Sequence, residues 1–244
     1  MNPKSGCMLL QNHQPLEAIE PLEIAYSKMP RRDIANNLGI AYANDRNFHK
    51  AKYYLIKASN EDDIENISKY NLAIVKIQLE EQEDALEIAG ELKQIIADQP
   101  LSDAIDAFEV ASLYYLLNDC DRAYSCCKMR DWNIYNLFSW KYIPYLIYKN
   151  DLGVFKKLVN DRIEKDKKWI KENKDNDEYW QDDTEEEKRQ ELAQRESQMT
   201  QLMNLEAEFA LNKPNIDINN QLLLESSGCL LFDCVRHGNP KDDE

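Results

Sequence analysis

An all-α fold, an α-solenoid of antiparallel helix pairs closed by a C-terminal helical cap, is what this 244-residue sequence predicts. Three observations predict it. The first is an echo at thirty-four residues: Asn37-Leu38-Gly39-Ile40 returns as Asn71-Leu72-Ala73-Ile74, and Ala51 returns as Ala85. The second is a pair of small residues twelve positions apart: Gly6 and Ala18, Gly39 and Ala51, Ala73 and Ala85, Ala111 and Ala123. The third is composition. Gly is scarce (6), Pro modest (8) and Val rare, and apolar residues recur at helical rather than alternating spacing. A fixed period of this length marks helical hairpins that cannot bury their apolar faces alone and therefore stack.

The first hairpin runs from near residue 1 to about 31, marked by Gly6, Leu9, Ala18, Leu22, Ala25 and Pro30. In the second, Leu38, Gly39 and Tyr42 mark the first helix, Asn44-Asp45-Arg46-Asn47 the turn, and Ala51, Leu55 and Ala58 the second helix. Small residues at 39 and 51 let the two helices approach closely, and larger ones fill the space between repeats. The third, about 66 to 99, keeps Leu72, Ala73 and Ala85 but carries Lys76 in place of the aromatic and Leu92 in place of the second Ala. The fourth, about 104 to 137, follows a short insertion around Pro100-Leu101-Ser102 and offers Val110, Ala111, Tyr114, Ala123 and Cys127. A degenerate fifth, about 138 to 170, has Tyr142, Leu146 and Phe155, with Asn150-Asp151 at the turn and Pro144 expected to kink or restart its first helix.

This spacing resembles the tetratricopeptide repeat (TPR), whose pattern is Leu-Gly-x-x-Tyr, then Ala, then an aromatic or Leu, then Ala, then Pro. The resemblance covers roughly 1 to 137 well and 138 to 170 weakly. It implies a protein-binding scaffold in which the first helix of each hairpin lines a concave groove. In this sequence Asn36, Asn37, Ile40 and Asn44 should face that groove from the second hairpin. Tyr70, Asn71, Ile74 and Gln78 follow from the third, and Phe108, Ser112 and Tyr115 from the fourth. Amides that satisfy backbone polar groups, together with rings that supply area, suit an extended peptide or a protruding helix; the alternative is that several of these residues pack on the C-terminal segment. Family members that clamp a terminal carboxylate do so with Lys and Asn, then Asn, then Lys and Arg. The matching positions here are Asn36 and Ile40, Asn71, then Ile105 and Glu109. Without the cations a carboxylate would be desolvated unpaired, which argues against that subclass.

Beyond about 170 the chain changes character. Asp175, Asp177, Glu178, Asp182, Asp183, Glu185, Glu186 and Glu187 carry eight negative charges with no Lys or Arg from 175 to 187, interrupted by Tyr179 and Trp180. Thr184 is suited to cap a helix whose first turn welcomes the three glutamates. Leu192, Met199, Leu202, Met203, Glu206 and Phe209 then trace an amphipathic helix of about 185 to 211, ended by Pro214. The expected organisation is therefore repeats over 1–170, an acidic linker with a capping element over 171–237, and a disordered tail over 238–244. Residues 221 to 232, with Ser226-Ser227-Gly228 between two apolar runs, read either as a short β-hairpin or as one further helical pair.

The formal charge of −15 disfavours nucleic acid and anionic membranes and favours a basic protein partner or simply solubility. The first ten residues hold only a four-residue apolar run, too short for a secretion signal, and no stretch approaches a membrane span, so a cytoplasmic protein with reduced thiols is expected. Cys229, Cys234 and His237 invite a metal reading, but their Cys-x4-Cys-x2-His spacing lacks a fourth ligand nearby. Cys126 and Cys127 are adjacent on a helix and point to different faces. His13 and His49 fall near interhelical turns, and no phosphate-binding glycine motif occurs. No catalytic residue, metal or cofactor is expected, and the oligomeric state is open.

The functional expectation is a non-catalytic protein-binding module. Its sharper form is an acidic inhibitor or immunity-type protein that blocks a basic toxin or nuclease, with Tyr179 and Trp180 as anchors among steering charges. The rival is an adaptor or regulatory scaffold using the groove. An enzyme or metal protein using Cys229, Cys234 and His237 is the third reading.

Overall fold

The computed structural model describes residues 3–59, 65–98, 105–129, 141–181 and 183–222, and every regular element among them is helical. The chain divides into two compact units, Met1–Arg130 with Ile216–Glu244, and Asp131–Asn215. Among the described residues no helix is long and apolar enough to cross a membrane.

The first unit contains eight helices among its described residues: α1 (Pro3–Gln11), α2 (Pro15–Lys28), α3 (Arg32–Asn44), α4 (Phe48–Ser59), α5 (Glu65–Gln78), α6 (Gln82–Asp98), α7 (Ala107–Leu116) and α8 (Cys120–Cys127). Each packs on the next in chain order, and the odd-numbered helices also touch one another, α1 on α3, α3 on α5 and α5 on α7. That arrangement is compatible with a helical repeat. The alanines at the repeat positions are fully buried: Ala18, Ala51, Ala85, Ala111 and Ala123 are all 0% exposed.

All four helix pairs of this unit reverse direction in the same way. One non-glycine residue in each turn is left-handed: His13 (φ 58°), Arg46 (φ 57°), Glu80 (φ 61°) and Asn118 (φ 61°). The next residue's N–H then donates to the carbonyl five positions back: Gln14 to Leu9, Asn47 to Tyr42, Glu81 to Lys76 and Asp119 to Tyr114, at 2.8–2.9 Å. This long bond satisfies a carbonyl that the ending helix leaves orphaned, and it recurs although the four left-handed residues share no side-chain type. Sequence periodicity alone did not reveal it.

The close approach expected at Gly39 is present. A Cβ there would lie 2.4 Å from Cγ of Leu55, and one at Gly6 would lie 2.6 Å from Cγ of Leu22, whereas one at Gly90 meets nothing within 4 Å. The same substitution should therefore have opposite signs at two helical glycines. Gly39→Ala should lower stability by roughly 1–2 kcal/mol, because overpacking outweighs the helix-propensity gain. Gly90→Ala should raise it by about 0.5–1 kcal/mol. Urea midpoints at unchanged slope check both; equal shifts would contradict the packing.

Lys76, which replaces the aromatic of the repeat pattern, is 9% exposed. Its ammonium is paired at the neighbouring turn with Glu81 at 3.2 Å and Asp84 at 2.5 Å, so a cation and two carboxylates fill the role of a ring.

The second unit holds α9 (Tyr142–Asn150), α10 (Leu152–Asn173) and α11 (Glu185–Leu211). The expected kink at Pro144 does not arise: α9 begins at Tyr142, so the proline sits in its first turn, where it withholds no intrahelical donor. Residue 170, where the repeats were expected to end, lies inside α10. The helix expected over 185 to 211 is α11, capped reciprocally by Thr184 and Glu187. Its buried stripe is Leu202, Leu205 and Phe209, while Met203, expected on that face, is 61% exposed. α11 packs on α10 and on α9. Phe209 makes ring contacts with Tyr145, Tyr148 and Phe155 at centroid distances of 5.6, 5.9 and 5.9 Å.

Among the described residues there is no strand. Between Pro214 and Leu222 the described chain forms a 3-10 turn, Ile218–Gln221. The hairpin expected around Ser226-Ser227-Gly228, the tail 238–244, and Cys229, Cys234 and His237 lie outside the described residues.

Candidate interaction surfaces

The first-helix face of the first unit is built by α1, α3, α5 and α7. Of the eleven residues expected to face a groove, the structure buries nine and leaves only Asn44 and Gln78 half-exposed. The buried ones find partners across helices. Asn71 donates its amide to Oδ1 of Asn36 at 3.1 Å, and Asn37 donates to Sγ of Cys7 at 3.2 Å. Tyr70 and Ser112 share a hydrogen bond at 2.8 Å, and Ser112 donates to the Glu109 carbonyl at 2.6 Å. Asn44 turns back on its own helix, donating to the Ile40 carbonyl at 2.9 Å. Ile40, Ile74, Phe108 and Tyr115 are 0–6% exposed. Nine of the eleven side chains expected to line a groove are thus buried within the unit.

Two polar atoms on that face remain unsatisfied. Asn36 Nδ2 and Asn37 Oδ1 are buried without a hydrogen-bond partner among the described residues. Leaving such a group desolvated costs about 1–3 kcal/mol. Further along, Asp106 and Glu109 form a capping box at the start of α7. Burial, reinforced by the Asp106 carboxylate beside it, pushes Glu109 up to about 8. Burial also raises Tyr70 well above the usual phenol range, against the opposing effect of its contact with Ser112.

The second surface is the turn between α10 and α11. Trp169, Tyr179 and Trp180 pack edge-on in a triad with centroids 4.9–5.8 Å apart. The Trp180 indole donates to the Asn173 carbonyl, and the ring is 8% exposed. Trp180, expected as a contact anchor, is therefore a strut inside the unit, and Tyr179, 48% exposed, is the aromatic left outward. Arg195 stacks over Trp169 at 3.7 Å and ties the triad to α11.

Asp175, Asp177, Glu178, Asp183, Glu185, Glu186 and Glu187 are exposed around the turn, and Asp182 lies outside the described residues. Glu187 is committed to the cap, its carboxylate held below the usual range by the Thr184 N–H and then by the Thr184 hydroxyl. Glu186 pairs with Arg189. The other five, Asp175, Asp177, Glu178, Asp183 and Glu185, have no cation partner among the described residues. They lie on the same turn as the half-exposed Tyr179.

Cys126 and Cys127 are fully buried and free, and burial pushes Cys126 up to about 11, far from the thiolate form that reacts. His13 and His49 are exposed. Among the described residues no three His, Cys, Asp or Glu side chains cluster to hold a metal ion. Compared with protein-family models and with curated proteins, the chain matches none.

Proposed function

We propose that this chain is a TPR-like solenoid acting as a non-catalytic, cytoplasmic protein-binding module, and that it is an inhibitor or immunity-type protein whose acidic turn binds and blocks a basic toxin or nuclease. The observation that carries this reading is the outward Tyr179, packed edge-on against Trp169 and Trp180 in a turn whose Asp175, Asp177, Glu178, Asp183 and Glu185 are exposed and form no ion pair among the described residues. A ring already fixed in place loses little rotamer freedom on binding, and unpaired like charges steer a partner of opposite sign. The formal charge of −15 adds a long-range component to that steering.

The test is capture of a partner by the full chain, beside a variant carrying Asp175→Ser, Asp177→Ser, Glu178→Ser and Tyr179→Ala. That set leaves the Thr184–Glu187 cap intact. The expected result is one basic partner, bound more weakly as salt rises and lost in the variant. A partner retained by the variant, or held equally at low and high salt, sinks this reading.

A second reading, an adaptor or regulatory scaffold receiving a peptide or helix on the first-helix face, is favoured by the unsatisfied atoms of Asn36 and Asn37. A partner that survives the acidic variant but is lost on Asn36→Ala would select it.

A further inference from the structure

The first-helix face of the first unit is met by a segment from far along the chain. Asp217 accepts from the Asn219 N–H and the Asn220 side-chain amide, both at 3.0 Å, and so closes the 3-10 turn Ile218–Gln221. That turn contacts α5. Tyr70 donates to Gln221 Oε1 at 3.5 Å across 151 positions of sequence. Leu222 packs against the buried cluster that includes Leu10, Leu38, Ile40 and Leu72.

The fit is loose. The Tyr70–Gln221 bond is at the outer limit of hydrogen-bond distance. Asn219 and Asn220 are exposed, and Ile218, Gln221 and Leu222 are only half-buried. A cavity of about 290 Å³ is lined by Leu10, His13, Ile40 and Asn44 on one side and by Asn219, Asn220 and Leu222 on the other. A segment that completed the core would fill that space.

We propose that the first-helix face is a binding surface for a short turn-forming segment with one leucine anchor, and that Ile218–Leu222 is its resident, displaceable occupant. The tether makes weak contacts sufficient. A covalently linked segment experiences an effective concentration in the millimolar range, so a face-to-segment Kd about tenfold below that, on the order of 0.1 mM, keeps the face about 90% covered. A leucine side chain in an apolar seat with amides around it is the chemistry both sides present. The covered face lies in the first unit and the test reads nothing from the acidic turn, so this proposal and the inhibitor reading fail separately.

The experiment compares the full chain with Leu222→Asp. The readouts are the side-chain amide resonances of Asn36, Asn37 and Asn71, and backbone hydrogen exchange in α3 and α5. The expected result is shifted amide resonances and exchange raised about tenfold in both helices, with helicity by circular dichroism unchanged. A synthetic peptide of residues 214–222, added at millimolar concentration, should restore the variant's resonances and leave the unsubstituted chain unaffected. Unchanged exchange in the variant overturns the proposal, and so does a peptide that perturbs both proteins equally. Where Leu222→Asp loses helicity, Asp217→Ala decides. It removes only the acceptor that closes the exposed turn; the same resonances should move by a smaller amount, and their staying fixed overturns the proposal.

Discussion

Replacing Asp166 by Ala should cost about 3–5 kcal/mol, because it removes the carboxylate that neutralises a buried guanidinium. Asp166 is 1% exposed in the middle of α10. One carboxylate oxygen accepts from Arg162 Nε at 2.7 Å and the other from Arg195 Nη1 at 3.0 Å. Arg162 is itself 8% exposed, so it cannot recover hydration when its acceptor is removed. Arg195 keeps Glu191 at 2.8 Å and the face of Trp169. The loss therefore falls mainly on Arg162. The paired substitution Arg162→Met with Asp166→Leu should recover most of it, since an apolar pair of similar volume carries no desolvation cost. Urea denaturation of the single and double variants checks both statements. A loss under about 1 kcal/mol for Asp166→Ala would show that the ion cluster is hydrated in solution.

Phe209→Ala should destabilise the second unit by about 3–5 kcal/mol. The ring is 2% exposed and meets Tyr145 from α9 and Phe155 from α10, so truncation opens a cavity where all three helices meet. Met203 lies on the same helix but is 61% exposed, and Met203→Ala should change stability by less than about 0.5 kcal/mol. Similar losses for the two variants would mean that α11 does not dock as described. The readout is the denaturation midpoint, with protease susceptibility of the α10–α11 turn as a second probe.

Much of this architecture was legible in the sequence because helical packing writes itself at a fixed period. The recurrence of Gly39-x11-Ala51 in Ala73-x11-Ala85 and Ala111-x11-Ala123 located helix pairs where they occur, and Thr184 and Pro214 bracketed α11 closely. A period tells which residues share a face. It does not tell what lies over that face. Asn36, Tyr70 and Ser112 were placed together correctly by register, but their burial depends on pairings 35, 42 and 151 positions apart that no local pattern encodes. Trp180 escaped for a related reason. An aromatic within an acidic run reads as exposed, and its burial rests on Trp169, eleven residues earlier on α10, and on the Asn173 carbonyl. The left-handed turn residues formed no pattern because His, Arg, Glu and Asn fill the same backbone role, a role for which glycine is the default.

The order in which the chain emerges from the ribosome has a bearing on its first-helix face. Helices α1 to α8 pack in the sequence in which they are synthesised, so each can settle on its predecessor while translation continues. The segment that meets α5 is made only after Asp131–Asn215. At about 5–20 residues per second, those roughly 85 residues take about 4–17 s to make. For that interval the Tyr70 hydroxyl and the seat at Leu10 and Ile40 stand without Gln221 and Leu222, so if the proposal above holds, the time of synthesis is a window in which the youngest molecules offer a surface that mature ones withhold.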